Sequence, residues 1–175
     1  MRSVVFCVIL LAAAALPNAR ADDACNDFKW DVSKERALFA SAPTPVNAGT
    51  DAKTAPSLVP GKLYQVQLAS QASVNYVLEP GRKARADSDH GGVAILKMPA
   101  GGAYRFSMDM PLWVDIVAND TLLTATDFQG QRDCKAPHKI VVFDLAADQT
   151  LTLQLSSSAA DSVRMTITPA PARKF

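Results

Sequence analysis

The chain has 175 residues, 49% of them hydrophobic and 20% charged, with 8 Gly and 11 Pro. That balance excludes a disordered chain, a collagen-like repeat and a long coiled coil. A formal charge of +1 supplies no field for holding nucleic acid, so none is expected as a partner.

Residues 1–21 read as a secretory signal peptide. Arg2 gives the positive start, Val4 to Leu16 is an almost unbroken apolar run, Pro17 breaks it, and Ala19-Arg20-Ala21 is a small-x-small cleavage site. The run is too short to span a bilayer, which takes about 20 apolar residues, and no membrane span is expected elsewhere. The expected location is therefore the periplasm or the exterior of a bacterial cell. Removing the leader takes away Arg2, Arg20 and Cys7, leaving 16 basic against 17 acidic residues and two cysteines, Cys25 and Cys134. An even pair in an exported chain predicts a disulfide.

Three zones follow. Around 31–40, Phe28, Val32 and Phe39 fall at helical spacing, Asp31 can cap, and no breaker intervenes. These features predict one short helix, with Trp30 packed at its entry. From Ser41 to Pro60, Pro43, Pro45, Pro56 and Pro60 predict an extended strap. From Gly61 to Ala170 apolar residues alternate with polar ones in segment after segment, beginning with Tyr64/Val66/Leu68 and Val74/Tyr76/Leu78. Next come Val93–Leu96, Tyr104/Phe106/Met108, Leu112/Val114/Ile116 and Leu122-Leu123. Ile140–Leu145, Leu151/Leu153/Leu155 and Val163/Met165/Ile167 complete the series. Period-two alternation marks half-buried antiparallel strands. Pro80-Gly81, Gly91-Gly92, Gly101-Gly102, Asn119-Asp120 and Ala147-Asp148 read as the turns between them, and Ser156-Ser157-Ser158 as a further turn. The expected fold is mainly β: an antiparallel β-sandwich of jelly-roll type with about 8–9 strands, over 61–170, with a loose tail at 171–175.

The stretches Gly101-Gly102-x-Tyr104-Arg105-Phe106-Ser107, Trp113-Val114-Asp115-Ile116-Val117, Phe128-x-Gly130 with Cys134, Lys139–Leu145 and Leu151–Ser156 resemble those of a type of small exported bacterial protein. So does the N-terminal Phe28-x-Trp30 with Arg36-Ala37-Leu38-Phe39. The resemblance implies a β-sandwich and carries no chemistry. Some such chains bear the name homogentisate 1,2-dioxygenase. That enzyme is a large cytoplasmic cupin protein whose iron is held by two His and a Glu, whereas this chain has only His90 and His138, neither in a His-x-Glu-type cluster. The strand pattern also resembles the pre-peptidase C-terminal domain, a jelly-roll appended to secreted enzymes, which implies fold alone.

Few residues suit chemistry. The segment Gly81–Gly92 carries Arg82, Lys83, Arg85, Asp87, Asp89 and His90. Arginines fork onto carboxylate or phosphate and Asp accepts from sugar hydroxyls, so the segment reads either as a site for an oxyanion or a polyol or as an ordinary solvated loop, as most charged loops are. His90 and His138 are weak candidates for a metal, requiring their loops to meet beside a carboxylate. Asp127, Arg132, Asp133, Lys135 and His138 surround Cys134 in a loop whose expected role is structural. Trp113 and Asp115 share the outward face of their strand: a sugar site if open, an ordinary packing surface if the N-terminal helix lies over it. Tyr104 is expected on a neighbouring strand. No catalytic residue and no cofactor is predicted. The expected function is a monomeric, non-catalytic binding or accessory protein of the cell envelope, its partner a glycan or an envelope protein. A small metal enzyme and an assembly module docking through Trp113 are the alternatives.

Overall fold

A computed structural model describes residues 24–84 and 86–171; residues 1–23 (with them the expected leader), Arg85 and residues 172–175 lie outside the described residues. Twelve strands form two sheets. Sheet A runs β1 (Thr44–Asn47), β3 (Leu63–Gln67), β12 (Ser162–Pro169), β6 (Gly102–Met108), β10 (Lys139–Leu145), β9 (Asp127–Gly130). Sheet B runs β2 (Ser57–Leu58), β5 (His90–Leu96), β11 (Leu151–Ser158), β7 (Trp113–Ala118), β8 (Thr121–Leu122), with β4 (Ala69–Ser70) also on β5.

The pairing is nested. β3 meets β12, β5 meets β11, β6 meets β10 and β7 meets β8, every pair antiparallel. The chain behaves as one long hairpin folded over itself, its strands passing alternately to the two sheets. That is a jelly-roll of eight strands, with β1, β2, β4 and β9 added at the edges. The innermost turn is Asn119-Asp120, both with positive φ (49° and 55°), the conformation a two-residue hairpin needs.

The alternation does what its period dictates. Tyr64, Val66, Phe106, Met108, Val114, Ile116, Leu151, Leu153 and Leu155 meet between the sheets, and the Phe106 and Phe143 rings pack edge to face at 5.7 Å. The helix α1 occupies Ser33–Phe39, within the expected span. Asp31 Oδ1 accepts the Ser33 amide at 2.9 Å, and the bonds from Ser33 hold its carboxyl below the usual range.

Four expectations change. The Pro-rich strap is not a bare connector. β1 and β2 lie in it and add to β3 and β5 as parallel edge strands, so the sandwich is not wholly antiparallel; Pro45, lacking an N–H, suits an edge. Val74 to Leu78 is irregular, not a strand. Gly91-Gly92 is not a turn but part of β5. Ser156 to Ser158 is the buried end of β11, irregular in its pairing with β5 and with positive φ at Ser157. No helix among the described residues is long and apolar enough to cross a membrane.

Candidate functional site

The two outer faces of the sandwich are both covered. On sheet B the cover is the connection from β4 to β5. The outward residues of β11 are Thr152, Gln154 and Ser156, polar as on a solvated face, yet all three are buried. Gln154 explains it: its Oε1 accepts the Leu78 amide and its Nε2 donates to the Leu78 carbonyl, each at 3.1 Å. A side-chain amide thus satisfies both main-chain groups of a residue that has no strand neighbour there. Asp115 on β7 accepts one main-chain and one side-chain N–H. Its Oδ2 accepts the Gly81 amide and its Oδ1 the Trp113 indole N–H, both at 2.9 Å. Gln71 Oε1 accepts the Ser157 amide at 2.6 Å, and the Ser157 hydroxyl donates to the Lys83 carbonyl at 3.1 Å.

Tyr76 anchors the middle. Its hydroxyl donates to the Leu155 carbonyl at 2.9 Å, and burial, with the Asp115 carboxylate adding to it, pushes the phenol well above its ordinary range. Gly91 makes this approach available, because a Cβ there would collide with the Tyr76 hydroxyl and stand 2.6 Å from the Leu155 carbonyl oxygen.

A cavity of about 310 Å³ opens beside Tyr76. Tyr76, Val74 and Pro80 line it together with Ala72, Ala84 and Ala86; Glu79, Arg82, Lys83, Asp87 and Gln71 supply its polar part. The structure therefore brings Arg82, Lys83 and Asp87 of the expected set together. Arg85 lies outside the described residues. Asp89 is buried next to them, its carbonyl accepting the Gln71 amide at 2.9 Å. His90 opens β5 opposite Ser70 and Ser158, with its Nδ1 buried and without a partner among the described residues.

Trp113 and Asp115 face outward as expected, but what lies on them is the Gly81 turn, not the N-terminal helix; a side chain at Gly81 would stand 3.1 Å from both. Lys139 Nζ lies 5.5 Å from the Trp113 ring and donates to the Leu112 carbonyl at 2.7 Å. Trp113 is half-buried, its indole already bonded. Tyr104 is not its neighbour: it sits in sheet A, faces the core, and bonds the Ala100 carbonyl at 2.9 Å. His138 serves the β9–β10 turn through its main chain, its amide bonded to Met108 and its carbonyl to Gln131. Among the described residues no three His, Cys, Asp or Glu side chains come close enough to hold a metal, so the meeting of His90 and His138 with a carboxylate that a metal requires is not found there.

On sheet A the cover is α1. Cys25 and Cys134 are bonded and lie in a second apolar cluster with Phe28, Val32, Ile140 and Val142. Beneath the helix, Glu35 and Arg105 form an ion pair that sequence reasoning missed, 1% and 5% exposed, Nη1 to Oε1 at 3.4 Å. The Thr168 hydroxyl donates to the same Oε1 at 2.5 Å, and Arg105 Nη1 to the Asp31 carbonyl at 2.8 Å. The available signal was an Arg at an outward position of β6 combined with a Glu two residues into a helix that had to cover something. Comparison with protein-family models, with curated proteins and with solved structures finds no match.

Proposed function

We propose that the chain is an exported, non-catalytic binding or accessory protein of the bacterial cell envelope, and that its ligand site is the cavity at the β4–β5 connection. The observation behind this reading is the composition of that cavity. Its floor is apolar and holds one aromatic ring, and its rim carries Glu79, Arg82, Lys83 and Asp87. None of these four takes part in an ion pair among the described residues. A ring face for an apolar surface, acids for hydroxyls and cations for a carboxylate suit an envelope glycan. Export is supported by the leader-like residues 1–21 and by the disulfide, which persists in oxidising compartments.

Peptidoglycan fragments titrated into the labelled protein and followed by NMR test the reading. The expected result is saturable movement of the Tyr76, Arg82 and Asp87 signals with the fragments recovered intact. Turnover of the fragments would remove the non-catalytic reading, and unmoved cavity signals would remove the site.

A further inference from the structure

We propose that the cavity beside Trp30 and Arg105, on the opposite face of the molecule, is a second binding site, and that it takes a small apolar carboxylate. It does not depend on the reading above. Its volume is about 220 Å³, and its walls include Trp30, Ala103, Arg105, Asp127, Val142 and Ala170.

Arg105 sits there because its position on β6 points it out of the main core and under the helix. At 5% exposure it is a buried cation. Its hydrogen bonds leave from Nη1, to the Asp31 carbonyl and to Glu35. Nε is buried with no partner among the described residues. Glu35 answers the charge from 3.4 Å while also holding the Thr168 hydroxyl. A guanidinium that is short of acceptors and forms part of a cavity wall is suited to a carboxylate. Asp127 does not oppose this, since Lys29 Nζ pairs with it at 2.5 Å.

The remaining walls choose the body of the ligand. The Trp30 ring, with the Arg105 guanidinium carbon 5.3 Å from its centroid, and the side chains of Ala103, Val142 and Ala170 are apolar, and the carboxylate in the wall, Asp127, is engaged by Lys29. Arg105 is answered by Glu35, and Lys29, 4.7 Å from the Trp30 ring, by Asp127, so the two do not make the cluster of cations a phosphate dianion prefers. A cavity of roughly 150 Å³ accommodates a benzene ring, so this one has room for a ring with its carboxylate.

Benzoate is the probe, and benzamide its uncharged counterpart of the same shape. Trp30 reports through its indole N–H signal, and Trp113, bonded to Asp115 on the other sheet, is the internal reference. Benzoate is expected to move the Trp30 signal saturably, leave Trp113 in place, and bind at least about tenfold tighter than benzamide. Ala103→Leu narrows the cavity while keeping both Arg105 and Glu35 in the chain and is expected to abolish the shift. Arg105→Lys keeps the charge, loses the fork, and is expected to weaken benzoate by about tenfold. Equal affinity for benzamide, unchanged binding in the Ala103→Leu protein, or no Trp30 shift in the native chain would each overturn the proposal. Should Arg105→Lys fail to fold, Ala103→Leu decides alone.

Discussion

On sheet A the cover is a seven-residue helix, which pairs part of its main chain within itself, as in the Ala40 amide to the Arg36 carbonyl at 3.0 Å. It is attached through side chains: a disulfide, an apolar cluster, and the Glu35–Arg105 pair. On sheet B the cover is an irregular connection whose main chain needs partners. The sheet provides them from Gln154 and Asp115, and the cover returns the favour through Gln71 and Tyr76. The difference follows from secondary structure. A helix leaves unpaired peptide groups only at its ends, here the Ser33 amide met by Asp31, with Arg105 on the Asp31 carbonyl just before it, so apolar and ionic contacts can carry more of its attachment. An irregular segment brings many and can lie only on a face rich in side-chain amides and carboxylates. Both arrangements leave a hollow, and the larger of the two cavities lies at the irregular cover.

If the helical cover is held covalently, its largest weakness is the bond. Replacing Cys25 and Cys134 together by Ala releases a closure of 109 residues, for which chain entropy assigns about 4–5 kcal/mol as an upper figure. Urea unfolding should record that loss, and Trp113 should keep its folded environment until the global transition. Glu35→Ala comes next. It leaves Arg105 buried without a counter-charge, and breaking such pairs costs about 3–5 kcal/mol. Glu35→Ala together with Arg105→Met should recover much of the loss, because the cost lies in the stranded Arg105 charge; if the double variant is as unstable as the single, the loss comes from the removed contacts of the pair and not from an uncompensated charge.

The opposite cover should fail more gently. Gln154→Leu takes the partner from the N–H and C=O of Leu78 at a half-buried position, where water can replace much of it, so the loss should stay toward the low end of the about 1–3 kcal/mol of a buried unsatisfied group. Hydrogen exchange at Leu78 and Tyr76 should quicken, while exchange under α1 stays unchanged. A uniform quickening across both sheets would mean that the two covers are not separable.

The same contrast explains what could be read in advance. The core was legible because Leu151, Leu153 and Leu155, like Tyr104, Phe106 and Met108, repeat with period two, and that period fixes which face they share. The disulfide was legible from cysteine parity. The polar partners on those strands were not, because Gln154 or Arg105 on an outward face looks the same whether water or a cover lies over it. Val74, Tyr76 and Leu78 alternate like a strand, but the alternation here places Tyr76 against Gly91 and leaves Leu78 to pair with a side chain. Burial of the apolar residues was satisfied without a ladder. For the same reason Gly91-Gly92 looked like a turn, although its missing side chain makes room within a strand for Tyr76. Of the candidate site, the Arg82–Asp87 cluster was visible as a charged loop, while its cavity depended on tertiary placement.

The smallest effect concerns that tyrosine and separates the two covers by pH. Burial and Asp115 raise the Tyr76 phenol, whereas an unfolded chain titrates it near its ordinary value of about 10. Above pH 10 the unfolded state gives up the proton and the folded state keeps it. Unfolding then releases a proton, and rising pH favours the unfolded chain, with a slope of at most about 1.4 kcal/mol per pH unit from this one group. Below pH 10 both states are protonated and the group contributes no pH dependence. Other groups titrate in the same alkaline range, so the informative quantity is the difference between the native protein and Tyr76→Phe, compared by urea unfolding from pH 9 to 11. Phe keeps the ring and loses only the titrating hydroxyl and its bond to Leu155. The two proteins should differ by a constant amount up to pH 10 and converge above it. Parallel curves throughout would mean that Tyr76 is as free to ionise when folded as when unfolded. In that case the cover over sheet B is open to water at its centre, and the cavity beside it is not a closed floor.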